Sequence, residues 1–318
     1  MPDTNPFCSI IIISYDQEDF IEDAVRSAAE QDYDALEVVV SDDASRDATP
    51  GLIGSLEQRY RGRVRALLND TNVGITRNSN RALRACRGAF IAYLGGDDIL
   101  LPGKIAAQLE WFQQSSARVL CGHDVEYFDS ATGRTLQLFG EASVMRSGRG
   151  VTTALRYGSL FPATAVMVRA SAIPPWGFDE RIPRISDYKL CIDCLLAGGH
   201  FGYVPRVLAR YRVHPRAVTK TEAHECWVEA FMTLGIVEAE HPELARACAS
   251  GRAYLYYRAG VAELQAGDAA AARTQFARAL RSDPLYSTKL PLWALLSALP
   301  EPARRVALSF RGATRPHK

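Results

Sequence analysis

The first 120 residues alternate between apolar runs that suit buried strands and stretches with the spacing of amphipathic helices. The run "CSIIIISY" is rich in β-branched residues throughout, which is typical of a strand buried on both faces. In "QEDFIEDAVRSAAEQ" apolar residues recur every three or four positions, which predicts a helix. The predicted strands are 8–15, 36–43, 63–70, 89–96 and 117–124, and the predicted helices are 17–31, 47–60, 74–86 and 101–114. This alternation predicts an α/β fold with a doubly wound, Rossmann-like, mostly parallel sheet.

Residues 125–215 follow a less regular pattern. "FPATAVMVRA" (161–170) predicts a strand, and "DYKLCIDCLLAGG" (187–199) predicts a helix that glycine closes. "SVMRSGRG" (143–150) has the composition of a loop.

The last third of the chain is helical by its spacing over residues 221–282. Within it, five residues stand at the offsets of one tetratricopeptide unit: Gly260, Ala272, Phe276, Ala279 and Pro284. One such hairpin cannot build a solenoid, so we expect it to pack on the main domain or on a partner. The sequence thus predicts an α/β domain over 1–220 and a C-terminal α-helical extension over 221–318.

Composition narrows the function classes. The 318 residues carry a formal net charge of +1, which gives no argument for a nucleic-acid partner. Apolar stretches fall short of the roughly 20 residues that span a bilayer, and "MPDTNPFCSI" does not read as a signal peptide. We therefore predict a cytoplasmic protein. The seven cysteines are scattered, and Cys191 with Cys194 lies inside a predicted helix, which favours packing over metal or redox chemistry.

Acidic residues follow the predicted strands. Since ligands of open parallel sheets bind at the carboxyl ends of the strands, these residues are candidates for chemistry. Such aspartates also form turns and cap helices, but four acidic strand ends on one edge favour a divalent cation. Oxygen ligands select Mg²⁺ or Mn²⁺, which commonly bind substrate phosphates. The chain has neither G-x-x-x-x-G-K-[ST] nor G-x-G-x-x-G, so no glycine cradle would hold those phosphates. The strand-end residues are Ser14, Tyr15, Asp16, Asp42, Asp43, Asn69, Asp70, Asp97 and Asp98.

Four segments in this order resemble the family 2 glycosyltransferases with the GT-A fold. The four segments are "SIIIISYDQEDFIEDAVRSAAEQDYDALEVVVSDDASRDAT", "NVGITRNSNRAL", "AYLGGDDILLPGKI" and "WGFDERIPRISDYKLCIDCLLAGGHFGYVPRVLARYRVH". The resemblance covers about residues 7–215. It implies an inverting enzyme with a nucleotide-sugar donor. No Q-x-x-R-W follows "YRVH", which favours a non-processive bacterial type.

The resemblance also implies roles for individual residues. Asp187 falls at the position of the catalytic base. Asp97 and Asp98 fall at the metal-binding motif for Mn²⁺ or Mg²⁺, with His214 near the metal or diphosphate. The implied donor contacts are Asp42 at the nucleotide base with Asp43 beside it, Tyr15 stacking on that base, and Arg77 near the base and the phosphates, with Ser14 and Gly96 at the same edge. Apart from the resemblance, Arg210 and Arg212 alternate on a predicted strand and share a face, and Arg212 is the better candidate for a phosphate contact.

Two positions depart from the family pattern. Gly95 stands where many members carry an acid, so the metal rests on Asp97 and Asp98, the diphosphate and His214. Ser186 stands where a Glu usually precedes the base, which leaves Asp187 as the carboxylate there. Lacking side chains, Gly95 and Gly96 are expected to let a diphosphate approach the strand end.

The sequence leaves several readings open. A non-catalytic nucleotide-sugar binder or scaffold draws support from Gly95 and Ser186. A nucleotidyltransferase is the other alternative, although "SYDQEDF" offers no glycine-rich loop.

For an enzyme we expect a UDP-sugar donor, a glycan or lipid-linked acceptor and no nucleic acid. The apolar and then basic C-terminus is predicted to be a terminal helix that packs its apolar half into the core, or else a peripheral contact at the inner face of a membrane. A homo-oligomer stays open. His123 with Asp124 is read as a strand-end turn, and Trp176 as either a loop anchor or an acceptor contact.

Overall fold

The computed structural model describes residues 5–140, 149–158, 160–287, 289–299 and 301. The chain divides into two compact units, one of residues 1–151 and 159–229 and the other of residues 152–158 and 230–318. The strands are β1 (Cys8–Ser14), β2 (Leu36–Asp42), β3 (Val64–Leu68), β4 (Phe90–Gly95), β5 (Ile99–Leu100), β6 (Arg118–Asp129), β7 (Thr135–Phe139), β8 (Met167–Arg169) and β9 (His200–Val213). The helices are α1 (Ile21–Ala29), α2 (Thr49–Arg59), α3 (Ile75–Ala85), α4 (Lys104–Gln113), α5 (Val151–Tyr157), α6 (Ser186–Leu196), α7 (Val218–Thr221), α8 (Ala223–Glu240), α9 (Ala245–Gln265), α10 (Ala269–Ser282) and α11 (Lys289–Ala298).

The first unit contains one sheet in the order β3-β2-β1-β4-β8-β6-β9-β5, with β7 paired to β6. The four strands β3, β2, β1 and β4 are parallel, as the alternation of strands and helices predicts. Residues of β1 and β2 are buried almost throughout, because helices cover both faces of a parallel sheet. The prediction of an α/β fold with helices beyond it is confirmed.

The second half of the sheet is mixed rather than parallel. Strand β8 runs antiparallel to both β4 and β6, and β6 and β9 are parallel partners with irregular register. The strand predicted over 161–170 shrinks to three residues after a 3₁₀ turn at Ala163–Ala165. Antiparallel neighbours need no crossover helix, so the βα alternation read from the first 120 residues does not extend here.

Two long neighbouring strands, β6 and β9, lie near the end of the sheet that β5 closes. Strand β6 continues to Asp129, five residues beyond the predicted end, and β9 runs from His200 to Val213. The short strand β5, which the apolar pattern does not predict, pairs with β9. This pairing brings the residues after β4 next to the end of β9. The loop expected at 143–150 lies mostly outside the described residues.

The second unit is helical, and α8 belongs to it only from Ala230 onward, since Glu229 is the last residue of the first unit. Helices α8, α9 and α10 replace the nearly continuous helix predicted over 221–282, with breaks at 241–244 and 266–268. Its core contains Val261, Leu264, Ala272, Phe276, Ala279, Leu290, Trp293 and Leu296. No described helix is long and apolar enough to cross a membrane.

Four of the five residues that suggest a tetratricopeptide-like hairpin lie in or against this core. Ala272, Phe276 and Ala279 are fully buried. A Cβ at Gly260 would stand 2.6 Å from the Phe276 ring, which explains why glycine occupies that position on α9. The assignment to a tetratricopeptide-like hairpin and the domain boundary at 220 stay predictions.

The contact between Gly260 and Phe276 gives a stability test. We expect Gly260→Ala to lower the free energy of unfolding by about 1–3 kcal/mol, since the added methyl overpacks the core. The matched control is Gly235→Ala on α8, where a Cβ meets no atom within 4 Å. Alanine there should stabilise the helix by about 0.5–1 kcal/mol. Urea unfolding measures both, and equal effects of the two substitutions would contradict the packing described here.

Candidate active site

The carboxyl ends of β1, β2 and β4 meet at one edge of the sheet. Ser14 pairs with Asp42, and Ile13 pairs with Gly95, because the three strands are parallel and in register. The amide of Gly96 donates a hydrogen bond of 2.9 Å to the carbonyl of Ile13. The sheet therefore brings together the residues that the sequence predicts at the first, second and fourth strand ends.

Asp42 is the centre of a small buried network at the end of β2. Its carboxylate accepts hydrogen bonds from the Ser14 hydroxyl at 2.9 Å and from the amide of Ser45 at 2.9 Å. The hydroxyl of Ser45 donates to it as well. Asp42 is 1% exposed, so these bonds fix its orientation. Pattern reasoning overlooked Ser45, although its place three residues after Asp42 suits a local side-chain contact.

Asp43 holds the loop that leads into α3. Its carboxylate accepts hydrogen bonds from the Asn69 side chain and from the amides of Val73 and Gly74, at 2.7, 2.9 and 2.8 Å. Three donors satisfy a buried carboxylate well. The structure thus gives Asp43 a loop-holding contact, while its predicted contact with the nucleotide base stays a prediction.

Two residues with left-handed backbones shape this edge. Asp16 has φ 50° and Ala44 has φ 60°, and neither is glycine, so each conformation carries strain. Asp16 bonds across to the second loop, because its carboxylate accepts from the amide of Arg46 and its amide donates to Ser45. The loops after β1 and β2 are thereby tied to each other.

Tyr15 and Arg77 are the exposed members of the predicted donor site. Tyr15 is 40% exposed, which leaves its ring accessible to a planar ligand. The Arg77 guanidinium donates a hydrogen bond of 3.0 Å to Glu180, and both side chains are largely exposed. A surface pair of this kind is weak, so it leaves Arg77 free to exchange partners.

The Asp97–Asp98 loop is bound to the end of β9. The carboxylate of Asp98 accepts the backbone amide of Arg212 at 2.9 Å, and the Arg212 side chain donates to the carbonyl of Asp97 at 2.7 Å. His214 Nε2 lies 2.9 Å from a carboxylate oxygen of Asp97. These contacts join Asp97 and Asp98 to Arg212 and His214, two pairs of predicted site residues that are more than 100 positions apart in sequence.

Arg212 lies behind this loop. Its guanidinium is 4.8 Å from the Phe20 ring and 4.9 Å from the Phe128 ring, and it forms an ion pair of 3.2 Å with Asp23. At 8% exposure it supports the Asp97–Asp98 loop. Its predicted contact with a phosphate is not tested. Phe20, Asp23 and Phe128 are site residues that sequence reasoning missed, since no local pattern connects them with "YRVH".

The two adjacent aspartates have different surroundings. Burial raises the pKa of Asp98 well above its usual range, the charge of Asp97 raises it further, and the Arg212 amide and guanidinium oppose the rise. Asp98 is 4% exposed, whereas the Asp97 side chain is 21% exposed. Asp97 is therefore the more accessible carboxylate for a cation.

The predicted metal ligands Asp97, Asp98 and His214 do not form a ready three-ligand centre. Among the described residues no group of three or more His, Cys, Asp and Glu side chains could hold a metal ion. Asp97 with His214 nevertheless fits Mg²⁺ or Mn²⁺, which commonly bind through one or two protein ligands and substrate phosphates. The buried Nδ1 of His214 has no hydrogen-bond partner among the described atoms.

Of the two glycines before the aspartates, Gly96 is the one that the protein's own packing requires. A Cβ on Gly96 would stand 2.9 Å from the Ile13 carbonyl and 2.0 Å from the Gln17 side chain, and one on Gly95 would stand 2.6 Å from the Asp97 carboxylate. The turn closes tightly against β1, which gives Gly96 a structural reason. Its predicted contact with the donor is untested.

Asp187 is the second residue of α6 and lines an apolar pocket with Tyr93, Phe178, Leu190 and Cys191. Burial raises the pKa of Asp187 to about 6, and its own amide and that of Tyr188 partly oppose the rise. A carboxyl group with a pKa near neutrality suits a proton acceptor.

Tyr93 is influenced both by the Asp97–Asp98 loop and by Asp187. Burial raises the pKa of its phenol, the hydrogen bond with Ser79 lowers it, and the charges of Asp187, Asp97 and Asp98 raise it again. All three carboxylates therefore lie close enough to Tyr93 to act on it. Tyr93 lines the same pocket as the predicted base Asp187, and the charges of the predicted metal motif act on its phenol as well.

The remaining candidates differ in exposure. His123 is fully buried, with its Nδ1 2.7 Å from the Asp124 carbonyl. Burial and then the charge of Lys104 lower its pKa well below the usual range. His123 is therefore a core residue inside β6, and the prediction of a strand-end turn is wrong because β6 continues to Asp129. Trp176 is 62% exposed, which leaves both of its readings open.

Comparison with known proteins identifies the family. The family described as glycosyl transferase family 2 matches residues 9–172. The chain belongs to this family. The succinoglycan biosynthesis protein ExoO of Rhizobium meliloti is 34% identical over 230 residues, 69% of this chain and 64% of ExoO. An uncharacterised Mycobacterium tuberculosis protein is 38% identical over 127 residues, 39% of this chain and 37% of that protein. The chain thus spans less than two thirds of these relatives' lengths.

Solved structures share the fold. TarS of S. aureus (residues 1–349) in complex with UDP-GlcNAc matches with a TM-score of 0.61 at 15% identity, over 96% of this chain and 92% of that one. The mannosyltransferase PcManGT of Pyrobaculum calidifontis, in complex with GDP-Man and Mn²⁺, matches with a TM-score of 0.63 at 16% identity, over 98% and 88% of the two chains. The glycosyl transferase family 2 chain therefore has the GT-A fold, and the predicted family is confirmed.

The position of Asp97 gives a test of the metal motif. With UDP present, we expect Mn²⁺ to raise the melting temperature, because a ligand that binds the folded state stabilises it. Asp97→Asn should remove the Mn²⁺-dependent part of the rise. Asp34→Asn, at the amino end of β2 and exposed, should keep it. A full Mn²⁺ response in Asp97→Asn would contradict the assignment of Asp97 as a ligand.

Proposed function

We propose that this family 2 chain is an inverting, metal-dependent glycosyltransferase that moves a sugar from a nucleoside diphosphate donor to an acceptor hydroxyl. The observation that supports this most is that Asp187 and Tyr93 line one pocket, and that the charges of Asp187, Asp97 and Asp98 all raise the pKa of the Tyr93 phenol. One carboxylate would serve as the base, and the strand edge would hold the donor.

The proposed reaction is a direct displacement. The acceptor oxygen attacks the anomeric carbon, its proton passes to the Asp187 carboxylate, and the bond from carbon to the diphosphate oxygen breaks. Attack from the face opposite the leaving group inverts the anomeric centre. The proton acceptor needs to be ionised, and the raised pKa of Asp187, about 6, still leaves it ionised at neutral pH.

The protein's residues prepare the donor end. A bound Mn²⁺ or Mg²⁺ would supply charge stabilisation for the departing diphosphate, with Asp97 and His214 as its protein ligands. Asp98 contributes through the loop, since its bond to the Arg212 amide fixes Asp97. Asp42 with Ser14, Tyr15 and Arg77 are the proposed contacts for the nucleotide.

The proposed donor is a UDP-sugar. TarS is seen with UDP-GlcNAc and PcManGT with GDP-Man, so the fold accepts both nucleotides. The name of ExoO connects that relative with polysaccharide biosynthesis, which supports a glycan or lipid-linked acceptor here. We propose a non-processive reaction in the cytoplasm, without a nucleic-acid partner.

A non-catalytic nucleotide-sugar binder is the second candidate. The observation in its favour is that the described residues form no ready group of three metal-binding side chains. A nucleotidyltransferase has less support, because a glycine-rich loop is missing after β1.

Turnover by Asp187→Asn separates the enzyme from the binder. We expect about 10²- to 10⁴-fold slower transfer, the usual loss for a missing general base, with donor affinity unchanged. Wild-type kcat should fall as the pH drops through about 6, since protonated Asp187 cannot accept a proton, and should level off above it. Release of nucleoside diphosphate from UDP-glucose, UDP-GlcNAc or GDP-mannose measures the rate. The exposed Glu225→Gln is the control, and normal turnover by Asp187→Asn would exclude the proposed base.

A peripheral membrane contact is proposed for the C-terminus. Leu292, Leu295 and Leu299 are 41%, 67% and 39% exposed and recur at helical spacing along and just after α11. Residues 304–318 contain four Arg and one Lys and no acid, and they lie outside the described residues. Apolar side chains beside basic ones suit an anionic lipid surface.

Vesicle sedimentation tests this contact. The chain should sediment with phosphatidylglycerol vesicles and not with phosphatidylcholine vesicles, because anionic lipid attracts the basic segment. Leu295→Glu should reduce binding at least several-fold. Leu138→Glu, at an exposed leucine of β7, should leave it unchanged. Equal binding by both variants would argue against the α11 surface.

A further inference from the structure

The segment that precedes Asp187 is held from the side of α3 by buried hydroxyls. Thr76 Oγ1 donates a hydrogen bond of 2.6 Å to the Ile182 carbonyl and lies 2.8 Å from Ser186 Oγ. Thr76 is 3% exposed and Ser186 is 2% exposed. Water does not compete for these groups, so each lost bond would leave a buried polar atom unpaired.

The same segment is held from the side of α8 by a carboxylate. Glu229 accepts the amides of Arg184 and Ile185 at 2.8 and 3.1 Å and the Arg184 guanidinium at 2.9 Å. Ile185 is the residue just before α6. A carboxylate at a helix N-terminus satisfies amides that have no partner within the helix. Glu229 is 3% exposed, so its bonds are protected as well.

Helix α3, which carries Thr76, is itself held at its start by Asp43 at the end of β2. Asp43 binds the amides of Val73 and Gly74, and α3 starts immediately after them at Ile75. Thr76 in the first turn of α3 then contacts the segment before Asp187. Hydrogen bonds at the two ends of the short backbone stretch from Val73 to Thr76 thus join the end of β2 to the start of α6.

We propose that Thr76, Ser186 and Glu229 are positioning residues that hold the start of α6 so that the Asp187 carboxylate faces the acceptor. None of the three lines the apolar pocket at Asp187, so they act through the backbone of 182–187. Ser186, which stands where the family resemblance implies a Glu, gains a role in this way. The inference rests on the proposed function of Asp187 as base.

The first variant is Thr76→Val, which keeps the shape of the side chain and removes its hydroxyl. The matched control is Thr233→Val, because Thr233 on α8 is fully buried and its hydroxyl has no hydrogen-bond partner among the described residues. By hydrogen exchange, the amides of 184–188 should exchange at least several-fold faster in Thr76→Val and at the wild-type rate in Thr233→Val. Unchanged exchange in Thr76→Val would overturn the holding contact itself.

Kinetics test whether the contact positions the base. With the nucleotide sugar that the donor assay identifies among UDP-glucose, UDP-GlcNAc and GDP-mannose, kcat of Thr76→Val should fall about 10- to 100-fold, as for a misplaced reacting group. KM for the donor should stay within about twofold, because the Thr76 hydroxyl contacts Ile182 and Ser186 and none of the proposed nucleotide contacts. Glu229→Gln, which keeps one acceptor oxygen, should likewise lower kcat and leave KM for the donor unchanged. The pH at which its kcat falls on the acidic side should differ from that of the wild type. A rise in KM alone would overturn the proposal.

A double-mutant cycle with Asp187→Asn separates this inference from the proposed function. If Thr76 acts through Asp187, Thr76→Val should lower the rate in the wild-type background and have little effect in the background that already carries Asp187→Asn. Equal losses in both backgrounds, or a normal kcat of Thr76→Val beside a slow Asp187→Asn, would overturn the positioning role alone. Normal turnover by Asp187→Asn would remove the base and the positioning role together. If Thr76→Val fails to fold, Ser186→Ala takes its place in the cycle.

Discussion

The candidate site depends on the attachment of the Asp97–Asp98 loop to the end of β9. Arg212 makes two hydrogen bonds to this loop, one from its backbone amide to the Asp98 carboxylate and one from its side chain to the Asp97 carbonyl. His214 adds a third contact through Asp97. Strands β4 and β9 are not neighbours in the sheet, so these bonds determine where the carboxylates lie relative to the rest of the edge.

This attachment explains how two adjacent aspartates remain at one strand end. A buried carboxylate is costly unless hydrogen bonds or opposite charges compensate for it. Arg212 supplies part of that compensation to Asp98, although the pKa of Asp98 stays raised. Arg212 is itself enclosed by Phe20, Phe128 and Asp23. Asp98 is therefore the buried carboxylate of the two, and Asp97 stays accessible to solvent and to a cation. The two carboxylates are chemically unequal because their surroundings differ, even though the residues are identical.

A second rigid element carries Asp187. Its helix begins in a segment that neighbouring helices hold by buried hydrogen bonds, from Thr76 on one side and from Glu229 on the other. The loops after β1 and β2 are also tied together, with strained backbones at Asp16 and Ala44. The protein's own hydrogen bonds therefore hold this edge, and a preorganised site needs less reorganisation during reaction.

The sequence by itself determined the four parallel strands, their helices and the helix that carries Asp187, because these follow from local periodicity. It also determined the family and the strand ends that carry Asp42 and Asp97, because these follow from motifs in a fixed order. Only the tertiary structure decided the mixed half of the sheet, since the three-residue β8 leaves too short an apolar pattern to read. It also decided that Asp43 holds a loop, that Gly96 packs on Ile13 and that Arg212 supports Asp97. Such contacts join residues far apart in sequence, and no local pattern encodes the distance between them.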